Sequence, residues 1–326
     1  MGPTAPGLDR STVRDLLQMD HGCIAQLPHA LLVVRTHTQH LSMARITLVP
    51  KCSSSTGHGD YRPIAATSIV LRLLHKILAR RWRNQLASPP WQVAFPRRDG
   101  CSEAFTLPHT ILWSVHQDCI PLASIFVDVS KAFDLVSHET IIQAASMFGL
   151  PTPMVEYLRS LYTGSMIRLG DESIARSRGV RQGDPLSPLL FIAVMDEALS
   201  NSAPALGVAI GGTSVDHLAF ADDLVLFADN ADRLRERLVA LSTSLAAAGM
   251  CINGAKSVDL MIRKDGKNER LILWPTTYEV NGVGVQPLGF DQQVKYLGLH
   301  FTGKDAYNYG QRPSSTQCCP KSPRLP

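Results

Sequence analysis

Two short apolar runs, each broken by acid, constrain this chain more than any other feature. The first is Phe126-Val127-Asp128-Val129 and the second is Phe220-Ala221-Asp222-Asp223-Leu224. Both have the composition of strands, and both place a carboxylate where a side chain meets protein rather than water. A buried, uncompensated charge is costly, so each Asp needs a partner. Asp222 and Asp223 also repel one another and resist joint ionisation unless a cation stands beside them. A divalent metal is the simplest such cation; a solvated Asp-Asp turn is the alternative. Magnesium takes one or two carboxylates, with water and substrate phosphate completing its shell. If the two strands are neighbours, Asp128 and Asp222 share two ions ~3.5–4 Å apart, with Asp223 in support. That arrangement suits an in-line phosphoryl transfer from a triphosphate to a hydroxyl.

The rest of the chain sets limits on this chemistry. Its 326 residues suffice for about two domains. The formal charge of +4, from 32 basic and 28 acidic residues, permits a polyanionic partner without requiring one. Local clusters say more: Arg80, Arg81 and Arg83, then Arg97 and Arg98, then Arg176, Arg178 and Arg181. No apolar run reaches the ~18–20 residues of a membrane span, and the N-terminus lacks the pattern of a signal peptide. The seven cysteines are scattered, with no Cys-x-x-Cys pair for zinc. They read as thiols in a reducing, intracellular compartment.

Periodicity orders the chain into an α+β protein. A helix is expected from Ile69 to the arginines at 80–83, with Leu73, Leu74, Ile77 and Leu78 on its apolar face, and another from Glu103 to His116. A strand follows at 123–129. Ser137 N-caps a helix that stops at Gly149-Leu150-Pro151. A hairpin turns at Gly170-Asp171, a helix runs from Pro185 to Asn201, and Leu234, Leu238, Leu241 and Leu245 stripe a further helix. From Gly303 the periodicity vanishes into a tail rich in Ser, Pro and Cys, expected to be disordered.

A third motif lies between the acidic runs: Arg178-Gly179-Val180-Arg181-Gln182-Gly183-Asp184-Pro185-Leu186-Ser187-Pro188. Its glycines let backbone approach a ligand, while Arg and Gln supply donors beside a helix start. A Pro-capped helix after a tight turn is the plainer reading. In order along the chain, the segments 126–134, 178–191 and 219–223 resemble the reverse transcriptase palm of non-long-terminal-repeat retrotransposons. Flanking segments agree: Tyr61-Arg62-Pro63-Ile64, His75-Lys76-Ile77-Leu78-Ala79-Arg80, Gln92 to Gly100, Asn253 to Ser257, and Lys295-Tyr296-Leu297-Gly298.

This resemblance, covering about residues 44–302, implies a right-hand polymerase with an antiparallel, ferredoxin-like palm sheet. It implies an N-terminal extension over 1–45, fingers over 46–122, a palm over 123–302 and a thumb that is largely absent. By its implication the activity is RNA-directed DNA synthesis with an RNA template, a DNA primer, deoxynucleoside triphosphates (dNTPs) and two Mg²⁺ ions, Mn²⁺ being a possible substitute. No membrane is involved, and the nucleus is the implied location. Asp128, Asp222 and Asp223 match the metal-binding carboxylates. Phe133 matches the bulky gate against a ribose 2′-hydroxyl, which disfavours an RNA-directed RNA polymerase. Gln182 and Gly183 match residues packing on the incoming nucleotide and template base. Lys51 and Arg62 resemble residues that grip the triphosphate, Lys256 the lysine that protonates pyrophosphate, and Tyr296-Leu297-Gly298 the loop that holds the primer end. One departure stands out: Gln92-Val93-Ala94-Phe95 has Ala where the family usually has Gly, which is expected either to strain a turn or to narrow a template contact, with a mild effect. The alternative function is a truncated, inactive retroelement remnant that still binds nucleic acid.

Overall fold

The computed structural model describes residues 5–34, 39–51, 53, 57–84, 92–95, 100–266, 271–297 and 299–303. The tail expected beyond 303, the Arg97-Arg98 pair and Gly298 of the primer-loop motif lie outside them. In chain order the elements begin with α1 (Val13–Gln18), α2 (His21–Val34), α3 (Gln39–Ser42), β1 (Ala44–Pro50), β2 (Tyr61–Ala66), α4 (Ile69–Arg83) and α5 (Gly100–Gln117). Next come β3 (Leu122–Asp128), α6 (Ala132–Leu135), α7 (His138–Met147), α8 (Thr152–Tyr162), β4 (Met166–Leu169), β5 (Glu172–Ala175) and α9 (Ser187–Ser200). Then follow β6 (Val208–Ile210), β7 (Thr213–Val215), β8 (His217–Phe220), β9 (Asp223–Ala228) and α10 (Ala231–Ala247). Strands β10 (Val258–Lys264), β11 (Leu271–Leu273), β12 (Glu279–Val280), β13 (Val283–Gly284), β14 (Gln286–Pro287), β15 (Gln293–Tyr296) and β16 (Leu299–Thr302) are the last elements among the described residues.

Packing divides the protein into two compact units, each assembled from separated stretches of chain. One comprises Met1–Arg98, Val129–Ser202 and Leu241–Cys251; the other comprises Asp99–Asp128, Ala203–Ala240 and Ile252–Pro326.

In the first unit a sheet of order β2-β1-β4-β5 stands beside a group of helices. Helix α9 is buried from Leu189 to Leu199 except at half-buried Glu197, as befits a helix that is apolar nearly all round. Helix α7 packs against α9 and α8, and its N-terminus is capped by the predicted Ser137, whose hydroxyl accepts the Thr140 N–H. Helix α4 starts at Ser68, whose hydroxyl accepts the Val70 N–H. Of the predicted stripe Ile69, Leu74 and Leu78 are buried, joined by Leu71, His75, Ala79 and Trp82, while Leu73 and Ile77 are half-buried. The buried Trp82 donates its indole N–H to the Phe148 carbonyl at 3.0 Å.

The second unit holds the sheet β11-β10-β3-β9-β8, antiparallel along this path, with β14 pairing in parallel on β10. The chain order β3, helices, β8–β9 hairpin, α10, β10 is the β-α-β-β-α-β order of a ferredoxin-like sheet. Directly paired residues share a face. Leu122, Ser124, Phe126 and Asp128 therefore form one row with Phe227, Val225 and Asp223. Phe126 meets Tyr296 and Phe301 on that face, with ring centroids 5.7 and 6.0 Å apart. The predicted leucines 234, 238, 241 and 245 of α10 are all buried.

Candidate active site

The register of β3 against β9 ends in a pair of acids. Asp128 lies directly opposite Asp223. Such pairs hold their Cβ atoms ~4.5–5.5 Å apart. The β8–β9 hairpin closes through only Ala221 and Asp222, since Phe220 pairs with Asp223. Two-residue loops demand a primed turn with positive φ. Ala221 supplies it at φ +57°, with no glycine to relax it, while being 5% exposed. A non-glycine residue held there stores on the order of 1–2 kcal/mol of strain, a feature that clusters at functional sites.

The electrostatics of this turn follow from its geometry. Loss of water around Asp223, then the charges of Asp222 and Asp128, push its carboxyl up to about 6. Asp222 is likewise raised, by burial first and then by Asp128. The three sequence-selected acids thus feel one another, which is the condition that attracts a cation. Their oxygens are hard donors, fit for a divalent metal such as the family requires. Among the described residues no three His, Cys, Asp or Glu side chains already close into a metal-ligand group. Magnesium sites built on one or two carboxylates and a substrate phosphate need no such cage.

The strand end carrying Asp128 is braced by the segment Asn253 to Ser257. The Asp128 N–H donates to Ser257 Oγ at 3.1 Å, and its carbonyl accepts the Asn253 N–H at 2.8 Å. Ser257 in turn donates to the Asn253 carbonyl at 2.8 Å. Between them Gly254–Lys256 forms a single 3₁₀ turn. A Cβ at Gly254 would sit 2.8 Å from the Val283 carbonyl oxygen, so glycine is required. Lys256 is an exposed residue of this same turn. Tyr296 is buried with its hydroxyl unpartnered, and its pKa is raised by burial and by the charge of Asp223. Sequence reasoning passed over Ser257 as a brace, although its place beside Lys256 was in view.

The remaining predicted residues lie in the other unit. The Phe133 ring stacks on Phe191, centroids 4.1 Å apart and planes 18° apart. Gln182 donates to Asp134 Oδ1 at 3.0 Å, and its carbonyl accepts the Ala65 N–H at 2.7 Å. Gly183, at φ +98°, lets this loop lie close on β2: a Cβ there would come within 3.3 Å of Ala65 O. Arg62 is an exposed residue of β2 opposite Val49, and Lys51, at the same loop end of the hairpin, donates from its Nζ to the Gly59 carbonyl at 2.7 Å. The third arginine cluster divides. Arg178 is exposed, Arg176 donates to the carbonyls of Arg178 and Val180, and Arg181 is buried. At the Gln92 motif the strained residue is Phe95, at φ +64°, rather than Ala94. Gln92 is buried and donates to Asp196 Oδ1 at 3.3 Å.

The sequence model of the family described as "Reverse transcriptase (RNA-dependent DNA polymerase)" matches residues 49–301. The chain belongs to the reverse transcriptase family. It is similar to a retrovirus-related Pol polyprotein from a type-2 retrotransposable element of Drosophila melanogaster, 31% identical over 304 residues, or 92% of this chain and 29% of that protein. A Pol polyprotein from a type-1 retrotransposable element of Popillia japonica is 34% identical over 316 residues, 92% of this chain and 43% of its own length. A third, from Nasonia vitripennis, is 32% identical over 302 residues, 91% of this chain and 29% of that protein. This reverse transcriptase chain thus spans between 29% and 43% of the length of these relatives. Among its described residues no helix is long and apolar enough to cross a membrane.

Proposed function

We propose that this chain is the polymerase portion of a retroelement protein and copies an RNA template into DNA. The observation that carries the reading is the pairing of Asp128 with Asp223 beside the strained Ala221-Asp222 turn. In the reaction the primer 3′-oxygen bonds to the α-phosphorus of a dNTP. The bond to the bridging oxygen breaks, pyrophosphate leaves, and the hydroxyl proton passes to water. Asp128, Asp222 and Asp223 would hold two Mg²⁺ ions, or Mn²⁺ in their place, which supply positive charge to the acids and to the phosphate oxygens.

The chain's own residues divide the remaining work. Phe133, fixed flat on Phe191, sets a wall under the sugar that leaves no room for a 2′-hydroxyl. Gln182 and Gly183 present backbone and amide to the nucleotide and template base. Lys51 and Arg62, exposed on the β1–β2 hairpin, offset triphosphate charge. Lys256 donates a proton to the leaving pyrophosphate, and Tyr296-Leu297 steadies the primer end. In this reading residues 46–122 act as fingers and 123–302 as palm.

The test is extension of a DNA primer on an RNA template by the wild type and by Asp222→Ala. Mg²⁺-dependent extension by the wild type and its loss in the variant are expected. Equal extension by both refutes the assignment. Template binding without extension by the wild type would point to the inactive-remnant reading. Phe133→Val is expected to admit ribonucleotides; unchanged sugar selectivity removes Phe133 from its role.

A further inference from the structure

Beneath the Arg181–Asp184 loop lies a buried polar chain that none of the proposed roles uses. His75 of α4 is 1% exposed, Tyr157 of α8 is 0% exposed and Asp184 is 4% exposed. His75 Nδ1 lies 2.5 Å from Asp184 Oδ2, and its Nε2 lies 2.8 Å from the Tyr157 hydroxyl. An imidazole holds its two nitrogens at a fixed separation, so one ring sets the distance from α8 to the loop.

Asp184 passes this constraint on through each of its remaining polar groups. Its Oδ1 accepts the Leu186 N–H at 2.9 Å, its carbonyl accepts the Ser187 N–H at 3.3 Å, and its own N–H donates to the Arg181 carbonyl at 3.0 Å. Burial opposes the Asp184 charge, yet the His75 ring, the Leu186 N–H and Arg181 together hold its carboxyl below the usual range. Arg181 anchors the other end of the loop, donating to the Leu161 carbonyl at 3.3 Å and Ser165 Oγ at 3.1 Å. Gln182 and Gly183 are the only residues between these two buried anchors.

The geometry points to His75 as the positioning residue for Gln182 and Gly183, acting through Asp184 on nucleotide binding rather than on the chemical step. This rests on the polymerase reading above. Steady-state extension by the full chain tests it. His75→Leu removes the donor to a desolvated carboxylate, and the KM for dNTP is expected to rise about tenfold or more with kcat changed by less than about threefold. His75→Asn places an amide N–H where Nδ1 stood, and should hold KM within about threefold of wild type. A loss of thermal stability in both variants with KM unmoved overturns the proposal. Amide hydrogen exchange reads the same device without catalysis. Asp184 and Leu186 should lose protection in His75→Leu and keep it in His75→Asn; equal protection in both also overturns it. If His75→Leu does not fold, Tyr157→Phe replaces it, with a smaller KM rise expected and an unchanged KM counting against the role. A wild type that extends no primer sinks the polymerase reading alone, and the exchange experiment still decides the positioning.

Discussion

Asp196 is a fully buried carboxyl group in a largely apolar helix, and replacing it with Asn should make the protein more stable at alkaline pH. The residue is 0% exposed on α9. Its Oδ1 accepts the Gln92 amide, while Oδ2 has no hydrogen-bond partner. Burial pushes its pKa up to about 7, against an ordinary value of 3.8. The folded protein therefore holds a proton that the unfolded chain releases between about pH 4 and 7. Stability must fall as pH rises through that window, at up to about 1.4 kcal/mol per unit. Three units of difference amount to about 4 kcal/mol above pH 7. Asn keeps the acceptor for Gln92 and cannot ionise. The Asp196→Asn variant should match the wild type within about 1 kcal/mol near pH 4 and exceed it by about 2–4 kcal/mol at pH 8.5. Urea denaturation at half-unit intervals from pH 4 to 8.5 measures the difference directly. A stability gap that does not change with pH, or an Asn variant weaker than wild type at pH 8.5, refutes the reasoning.

Three further outcomes follow from the packing. Gly179→Ala places a methyl group 2.7 Å from Asp134 O and 2.8 Å from Phe133 O at φ +81°, and should lower stability by about 2 kcal/mol or more in a thermal melt. Arg237, 0% exposed, donates to the carbonyls of Asp216 and Phe227 and stands 3.7 Å from Asp216 Oδ2; Arg237→Leu takes this cation from the Asp216 carboxylate, which His217 also holds, and should cost about 3–5 kcal/mol. Adding Asp216→Leu to that variant should restore part of the loss, and a strictly additive double mutant would contradict the pairing. Trp82→Phe removes the indole donor to the Phe148 carbonyl and should lower stability by about 1–3 kcal/mol, read as a shift of the urea midpoint.

How much of this was legible in the sequence depends on the range over which each feature is decided. Acid interrupting apolar strands at Asp128 and Asp222-Asp223 stood out because a charge among branched residues violates local patterning. The Ser137 cap, the Gly170-Asp171 turn and the leucines of α10 came from neighbours a few residues apart, and each is present in the structure. The face of α4 was legible in part: Ile69, Leu74 and Leu78 are buried as the period predicts. Leu73 and Ile77 fit the period yet lie half-buried, while Trp82, whose indole donates to the Phe148 carbonyl, is buried. Likewise Arg181 read as one more cation in a basic cluster, and only folding showed its guanidinium buried against Leu161 and Ser165.

By itself the chain's pattern determined its α+β class, its acid-bearing strands and the polymerase family it resembles. Hydrophobic period, turn chemistry and motif spacing are properties of residues close together in the chain. Tertiary structure alone decided that Asp128 faces Asp223, because a strand register joins residues almost a hundred positions apart. It also decided that His75 meets Asp184 and that Asp196 meets Gln92, 109 and 104 residues away. A buried polar group needs a partner wherever the chain can supply one, and packed helices, not adjacency in sequence, select it.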